Sequence, residues 1–146
     1  MANDTGLILV VEDDENDVFF LKHAFASEGL SNPLQVVWDG QQAIDYLGGH
    51  HQYADRSKFP LPCLVLLDLK LPLKTGLEVL QWVRSQPALA KILTVVLSSS
   101  VSERDVASAL EYGARSFLTK PLTMDDRRHM ARMIKEYWLR LNQFSQ

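Results

Sequence analysis

The feature of this sequence that most constrains its fold is a series of five short apolar runs separated by segments of helical character. The runs occupy residues 7–11, 34–38, 64–67, 92–97 and 116–118. Most of them are continuously apolar, which is typical of strands that are covered on both faces. Strands alternating with helices predict a parallel sheet with helices on both sides. Right-handed crossovers then leave only a few doubly wound arrangements.

Helix start and stop signals fall between these runs. Asp39 with Gln42, and Thr75 with Glu78, have the spacing of a capping box, in which two side chains satisfy free backbone N–H groups at a helix start. Gly113 follows an apolar helical stripe, at a point where helices commonly end in a left-handed residue. These signals support five repeats of strand and helix.

The length of 146 residues fits one domain. We expect a single domain over residues 1–146, with its core over about 6–130 and a last helix over about 123–144. No apolar run is long enough to span a membrane, and no secretory signal pattern opens the sequence. Cys63 is the one cysteine, so an internal disulfide is excluded and a cytoplasmic location is expected.

The charge balance does not favour nucleic acid as a partner. Fifteen basic and eighteen acidic residues give a formal net charge of -3. This balance offers no general attraction for a phosphate backbone. The basic residues around Arg127, Arg128 and Arg132 lie on a predicted helix flanked by acids, and we interpret them as a solvated face.

Polar side chains follow four of the five runs, at the point where each run ends. Glu12 and Asp13 follow the first, Asp68 the third, Ser98 the fourth and Lys120 the fifth. The carboxyl ends of parallel strands meet at the edge of the sheet where ligands bind. We therefore expect three carboxylates, a hydroxyl and an ammonium group to converge on that edge.

Three carboxylates at one edge require compensation. Two of them about 4 Å apart repel by roughly 4 kcal/mol at an effective dielectric constant near 20. Either a carboxyl group takes up a proton or a cation binds. An all-oxygen ligand set suits Mg²⁺, with Mn²⁺ as the alternative ion. Lys120 would neutralise the remaining charge and Ser98 would donate to a phosphoryl oxygen, which predicts phosphoryl chemistry on an aspartate.

Taken together, these segments resemble the signature set of two-component receiver domains of the chemotaxis-regulator type. The resemblance covers nearly the whole chain, and the long loop with Tyr53 is most similar to small regulators paired with phytochrome-type histidine kinases. It implies a flavodoxin-like, doubly wound five-stranded sheet with strand order 2-1-3-4-5. The matching segments are Val10-Val11-Glu12-Asp13, Leu66-Leu67-Asp68-Leu69-Lys70-Leu71-Pro72 with Thr75-Gly76, Val96-Leu97-Ser98-Ser99 and Thr119-Lys120-Pro121.

The resemblance assigns roles to the phosphoacceptor, to the metal ligands and to Lys70. It makes Asp68 the phosphoacceptor. It implies that Mg²⁺ is bound by the carboxylates of Glu12, Asp13 and Asp68 and by the backbone carbonyl of Lys70. Asp13 would be a more direct ligand than Glu12. Lys70 also occupies a position that tunes the lifetime of the phosphoryl group.

The resemblance also assigns a switch. Lys120, Ser98 and Ser99 would contact the phosphoryl group, and Phe117 would be the aromatic switch residue. Two residues depart from the commoner pattern. Ser98 replaces threonine, and Phe117 replaces a frequent tyrosine and so lacks its hydroxyl.

Other functions share parts of this pattern. A haloacid-dehalogenase-like phosphatase needs a second acid two residues after the nucleophile, where this chain has Lys70, so we expect at most slow self-dephosphorylation and no enzyme activity on substrates. An FMN carrier of the same fold is disfavoured by the acids that follow the first run. A phosphorylation-independent interaction module remains an alternative. The acids Asp14, Glu15 and Asp17 are interpreted as helix-start residues.

The expected partners are proteins. The resemblance implies a sensor histidine kinase, of the phytochrome type, and a downstream protein or phosphotransfer partner. The last helix carries a second apolar segment that we interpret as a homodimer face, with coverage by the long loop or by the N-terminal residues as the alternative. This face comprises Tyr137, Trp138, Leu141 and Phe144.

Overall fold

The computed structural model describes residues 6–99 and 102–136. The strands are β1 (Ile8–Val11), β2 (Leu34–Val37), β3 (Leu64–Leu67), β4 (Leu93–Ser98) and β5 (Ser116–Thr119). The helices are α1 (Glu15–Ser27), α2 (Gly40–Gly48), α3 (Gly76–Arg84), α4 (Glu103–Glu111) and α5 (Met124–Met133), with short 3₁₀ turns at His51–Tyr53 and Pro87–Leu89. No helix within the described ranges is long and apolar enough to cross a membrane.

All five strands are parallel and lie in the order β2-β1-β3-β4-β5. This confirms the doubly wound sheet and the strand order that the family resemblance implied. Val11 lies opposite both Val37 and Leu67. Because these strands end level with one another, the residues that follow β1 and β3 emerge side by side.

Two apolar layers cover the two faces of the sheet. Ile8 and Val10 of β1 pack with residues of α1 and α5, whereas Leu9 and Val11 pack with residues of α2, α3 and α4. All four side chains are at most 3% exposed. The continuous apolar pattern of the strand therefore reflects burial on both sides, as the sequence predicted.

The helix starts follow the predicted signals with one difference. Thr75 and Glu78 form the complete reciprocal capping box of α3. Asp39 accepts a hydrogen bond from the backbone N–H of Gln42, at 2.7 Å, as a cap should. The Gln42 side chain, however, accepts from the backbone N–H of Trp38, one residue before the predicted donor. The second half of that predicted box is therefore wrong.

Specific side-chain contacts hold the connection between α2 and β3. Tyr53 is buried and its ring lies 5.0 Å from that of Tyr46 and 5.1 Å from that of Phe59. Arg56 donates to the backbone carbonyls of Tyr46 and Leu47, each at 2.8 Å, and so caps the end of α2. An aromatic cluster and one arginine thus fix this connection to the rest of the domain.

Two glycines allow backbone segments to pack closely at the carboxyl edge of the sheet. A Cβ atom on Gly40 would lie 1.8 Å from the carbonyl oxygen of Lys74. One on Gly76 would lie 2.4 Å from the carbonyl oxygen of Asp68. The backbone N–H of Gly40 also donates to the Pro72 carbonyl at 3.3 Å. The segment between β3 and α3 is therefore held directly against the starts of α2 and α3.

The last helix was predicted to extend to about residue 144. The structure describes α5 over Met124–Met133, followed by a π-helical turn over 134–136. The residues of the predicted homodimer face, which are Tyr137, Trp138, Leu141 and Phe144, lie outside the described residues.

Candidate metal and phosphoacceptor site

Three carboxylates meet where β1 and β3 end. Glu12 and Asp68 are 7% and 8% exposed, and Asp13 is on the surface. One oxygen from each of the three lies within 4.8 Å of the others. No other trio of histidine, cysteine or acidic side chains comes this close in the part of the chain that the structure describes. The convergence that strand order and level strand ends predicted is therefore present.

The Lys120 ammonium group is bound by two of these carboxylates and by a further one. Its Nζ lies 2.5 Å from Glu12 Oε1, 2.9 Å from Asp68 Oδ2 and 3.0 Å from Asp17 Oδ2. The backbone N–H of Lys120 donates to the carbonyl of Ser98 at 2.9 Å, which ties the β5–α5 connection to the end of β4. Both the main chain and the side chain of Lys120 are thus fixed at the carboxyl edge of the sheet beside Asp68, which we call the acceptor edge after the predicted role of that residue.

The electrostatics of the pair between Glu12 and Lys120 follow from burial. Loss of water around the carboxyl group raises the pKa of Glu12 from its usual 4.5 to about 7, since the bonds to Lys120 compensate only part of that cost and nearby Asp68 adds to it. Burial alone would lower the pKa of Lys120, but hydrogen bonds to Glu12 and Asp68 outweigh this and raise it. The ammonium group therefore stays charged over the whole neutral range.

Asp68 is oriented through both of its carboxylate oxygens. Oδ1 accepts from the backbone N–H of Lys70 at 3.1 Å, and Oδ2 accepts from Lys120 Nζ. The side chain of Lys70 is exposed. A carboxylate held in this way at the end of a buried strand has a fixed orientation, as a nucleophile requires.

Ser98 lies on the neighbouring strand. Val96 is opposite Leu67, so Ser98, at the end of β4, extends one residue further along the edge than Asp68. Ser98 is 1% exposed, whereas Ser99 is on the surface. The predicted hydroxyl is therefore at the acceptor edge.

The ligand chemistry fits a hard divalent ion. Glu12, Asp13 and Asp68 offer carboxylate oxygen only, and Asp13 faces solvent, so water molecules would complete the coordination shell. When all three carboxylates are ionised, a divalent ion would balance the negative charge that the one ammonium group leaves. The residues present therefore suit a divalent cation.

Comparison with known proteins identifies the family. The family model of the response regulator receiver domain matches residues 8–132. The chain belongs to this family. Receiver domains are signalling modules of two-component systems, so the domain is not an enzyme of the ordinary kind.

This receiver domain is similar to several small regulators. It is 38% identical over 141 residues to the probable methanogenesis regulatory protein FilR2 of Methanothrix harundinacea, covering 97% of this chain and 88% of FilR2. It is 33% identical over 138 residues to response regulator Rcp1 of Synechocystis sp., covering 94% and 92%. The crystal structure of the phosphorylated cyanobacterial phytochrome response regulator RcpA superposes with a TM-score of 0.84 at 34% identity, covering 92% of this chain and 94% of RcpA.

The predicted switch residue of the receiver lies on β5. Phe117 is opposite Val96 and is partly buried against the layer that contains α2, α3 and α4. Tyr112, the C-cap residue of α4, is partly buried against the same layer. The structure therefore places Phe117 on the face of the sheet that α4 also covers.

One residue of the receiver site was assigned a different role from the sequence. Asp14 is the helix cap that the acidic run predicted, and its Oδ1 accepts from the backbone N–H of Asn16 at 2.8 Å and of Asp17 at 3.3 Å. The side chain of Asp17, however, binds Lys120. The available signal was its place in the first turn of the helix that directly follows Glu12 and Asp13, which brings a fourth carboxylate close to the site.

Proposed function

We propose that Asp68 accepts a phosphoryl group from the phosphohistidine of a sensor histidine kinase, in a reaction that requires Mg²⁺ held by Glu12, Asp13 and Asp68. The supporting observation is the approach of these three carboxylates to within 4.8 Å of one another, beside an ammonium group 2.9 Å from Asp68. The backbone carbonyl of Lys70 is the proposed further ligand.

The proposed step transfers one phosphoryl group without a net redox change. A carboxylate oxygen of Asp68 attacks phosphorus, an O–P bond forms, and the N–P bond to the donor histidine breaks. The Lys70 N–H orients the attacking carboxylate, and Lys120 offsets charge on the phosphoryl oxygens. When bound, Mg²⁺ would supply further positive charge against those oxygens. Mn²⁺, which the solved structure of Rcp1 contains, is the alternative ion.

Signalling would follow from a shift of Ser98 and Phe117. The new phosphoryl oxygens offer an acceptor to the Ser98 hydroxyl, with Ser99 beside it, and movement of Ser98 makes room for the Phe117 ring to turn inward. A phosphoryl group shifts such an equilibrium only by its different contacts in the two states. The exposed Lys70 side chain lies beside the acceptor and would set how slowly the phosphoryl group is lost by self-dephosphorylation.

The surface around the acceptor supports a protein partner. Four large apolar side chains are exposed on segments that follow the carboxyl ends of strands: Phe19 at 65%, Trp38 at 40%, Leu73 at 77% and Leu122 at 84%. Exposed apolar groups around a polar site commonly mark a protein contact. The similarity to phytochrome response regulators favours a phytochrome-type kinase, which would place this domain in the cytoplasm.

The output would also be a protein contact or a phosphotransfer step rather than DNA binding. We propose a homodimer through the end of the chain, at the residues named above as the homodimer face. Sedimentation of the wild type against a Trp138→Ala/Leu141→Ala variant tests it. A wild type that stays monomeric at high concentration, phosphorylated or not, rejects the dimer.

Intact-mass measurement tests the acceptor. Incubation with acetyl phosphate and Mg²⁺ should add one phosphoryl group to the wild type and to Asp125→Asn, an exposed aspartate of α5 that serves as the matched control. Asp68→Asn should gain nothing, and a chelator should abolish uptake. Uptake that persists in Asp68→Asn, or without metal, contradicts the proposal and favours a phosphorylation-independent module.

A further inference from the structure

Lys120 has a carboxylate partner that does not belong to the metal cluster. Two of its three acidic partners, Glu12 and Asp68, are members of the trio that fits the divalent ion. The third, Asp17, lies 3.0 Å from Nζ and is not a member of that trio. The family resemblance gave this residue no role.

Asp17 is held in place independently of the ion pair. It lies in the first turn of α1, where its backbone N–H donates to the capping side chain of Asp14. The next residue, Val18, is buried in the core and fixes this turn against the domain. The Asp17 side chain is 37% exposed, compared with 9% for that of Asp68. Asp17 is therefore a fixed acceptor at the outer side of the ammonium group.

The ammonium group and a divalent ion would both draw on the carboxylates of Glu12 and Asp68. A protonated lysine has three N–H donors, and here three carboxylates accept from them. With a divalent ion at the acidic trio, the negative charge of Glu12 and Asp68 would be shared between the ion and Lys120, which would weaken two of these bonds. Of the three acidic partners, only Asp17 would then keep its full interaction with Lys120.

We propose that Asp17 is a positioning residue that retains the Lys120 ammonium group at the acceptor edge while Glu12 and Asp68 turn to the metal. The inference rests on the proposed function, because it requires a divalent ion at the acidic trio. Asp17 touches neither the ion nor the phosphoryl group in this scheme. It acts through Lys120, and it ties α1 to the β5–α5 connection.

Side-chain NMR of the lysine ammonium groups tests the inference directly. The protein is labelled with ¹⁵N and observed at low temperature and slightly acidic pH, with and without Mg²⁺, and the Lys120 signal is assigned by its loss in Lys120→Arg. In the wild type the signal should persist at saturating Mg²⁺, because Asp17 still binds the group. In Asp17→Asn it should broaden or vanish on Mg²⁺ addition, and Asp17→Glu should restore it in part.

The affinity for Mg²⁺ gives a second readout. Without Asp17, the ammonium group stays on Glu12 and Asp68 and competes more strongly with the ion, so the Kd should rise about fivefold, the effect of one partly exposed ion pair. Glu15→Gln removes a neighbouring exposed charge for which the described residues provide no salt bridge, and it should raise the Kd by less than twofold.

The outcomes separate the two proposals. A wild type that does not bind Mg²⁺ overturns the metal assignment and this inference with it. Mg²⁺ binding with an identical Lys120 signal in the wild type and Asp17→Asn overturns the inference alone, as does an equal change of Kd in Asp17→Asn and Glu15→Gln. Urea midpoints of all variants, measured without metal, identify any simple loss of folding.

Discussion

The two halves of the carboxyl edge are built differently. On one side, β1 and β3 are buried at every residue, and α1 contributes four buried side chains. On the other side, β5 is only partly covered, its last residue Thr119 is exposed, and α4 buries Ala109 alone. The fixed carboxylates follow the first pair of strands, and Phe117, the proposed aromatic switch residue, lies on the second side.

This difference in burial shows how one small sheet can hold both a rigid site and a mobile switch. A nucleophile and its metal ligands must keep their geometry, and strands buried on both faces provide this. A switch must have two arrangements of similar free energy, which is easier where few apolar contacts would be lost. We therefore expect the side with β1 and β3 to dominate stability and the side with α4 and β5 to respond to phosphorylation.

The largest expected effect comes from removing apolar volume on the two sides. Leu67→Ala, at a fully buried position of β3, should lower the free energy of unfolding by about 2–5 kcal/mol. Leu110→Ala, on α4 where the side chain is 48% exposed, should cost about 0.5 kcal/mol or less. Urea denaturation followed by circular dichroism measures both. Equal losses would show that the two sides do not differ as described.

Removal of the ammonium group should have the next largest effect. Lys120→Met leaves Glu12 and Asp68 buried without their cation, so the metal-free variant should lose about 2 kcal/mol at pH 8. The loss should be smaller at pH 5, because Glu12 is then protonated, and Mg²⁺ should restore stability at pH 8. Urea titrations at the two pH values, with chelator or with Mg²⁺, provide the measurement. A loss that is independent of both pH and metal contradicts the charge argument.

Glu12 should make Mg²⁺ binding depend on pH. Its pKa is raised in the folded state, from 4.5 to about 7, so between these values the folded protein keeps a proton that the unfolded chain has lost, and ionisation of Glu12 lowers stability as pH rises. Mg²⁺ must displace this proton, so its affinity should rise by up to about tenfold per pH unit below pH 7 and then level off. Calorimetric titration measures this, and Glu12→Gln should bind more weakly with a flatter profile.

The smallest effect concerns backbone strain on the otherwise well-ordered side. Leu73, in the connection after β3, has a φ of 66° and is 77% exposed. The left-handed conformation of a leucine raises the free energy of the folded state by about 1 kcal/mol. Glycine would remove this strain, but its greater conformational freedom in the unfolded chain would offset part of the gain. Leu73→Gly should therefore stabilise the metal-free domain by about 0.5 kcal/mol. Leu122→Gly, at an exposed site without positive φ, should give no gain, and equal shifts in the two variants would remove the strain explanation.

The sequence predicted the parts of the site that depend on strand ends. Glu12, Asp68, Ser98 and Lys120 each follow an apolar run, and parallel pairing alone brings such residues to one edge. The complete capping box at Thr75 was equally local and was confirmed.

The contacts that the sequence did not predict are made by side chains whose partners are set by the tertiary structure. Asp17 was assigned to the helix start, because local spacing does not show that Lys120 approaches from a segment 103 residues away. The Gln42 amide binds one residue further back than a capping box requires. The sequence also did not show that Tyr53 packs against Tyr46 of α2 and against Phe59 of its own loop, because these contacts depend on the path of the loop.

Gly76 illustrates how a steric requirement can look like a chemical one. Any side chain there would collide with the backbone carbonyl of Asp68, whatever its charge or polarity. No other residue is therefore compatible with the observed backbone conformation of the segment between β3 and α3. We therefore expect Gly76 to be retained among related chains about as strictly as Asp68, the proposed nucleophile. A variant screen based on phosphoryl uptake would score both positions as essential, although one of them takes no part in the reaction.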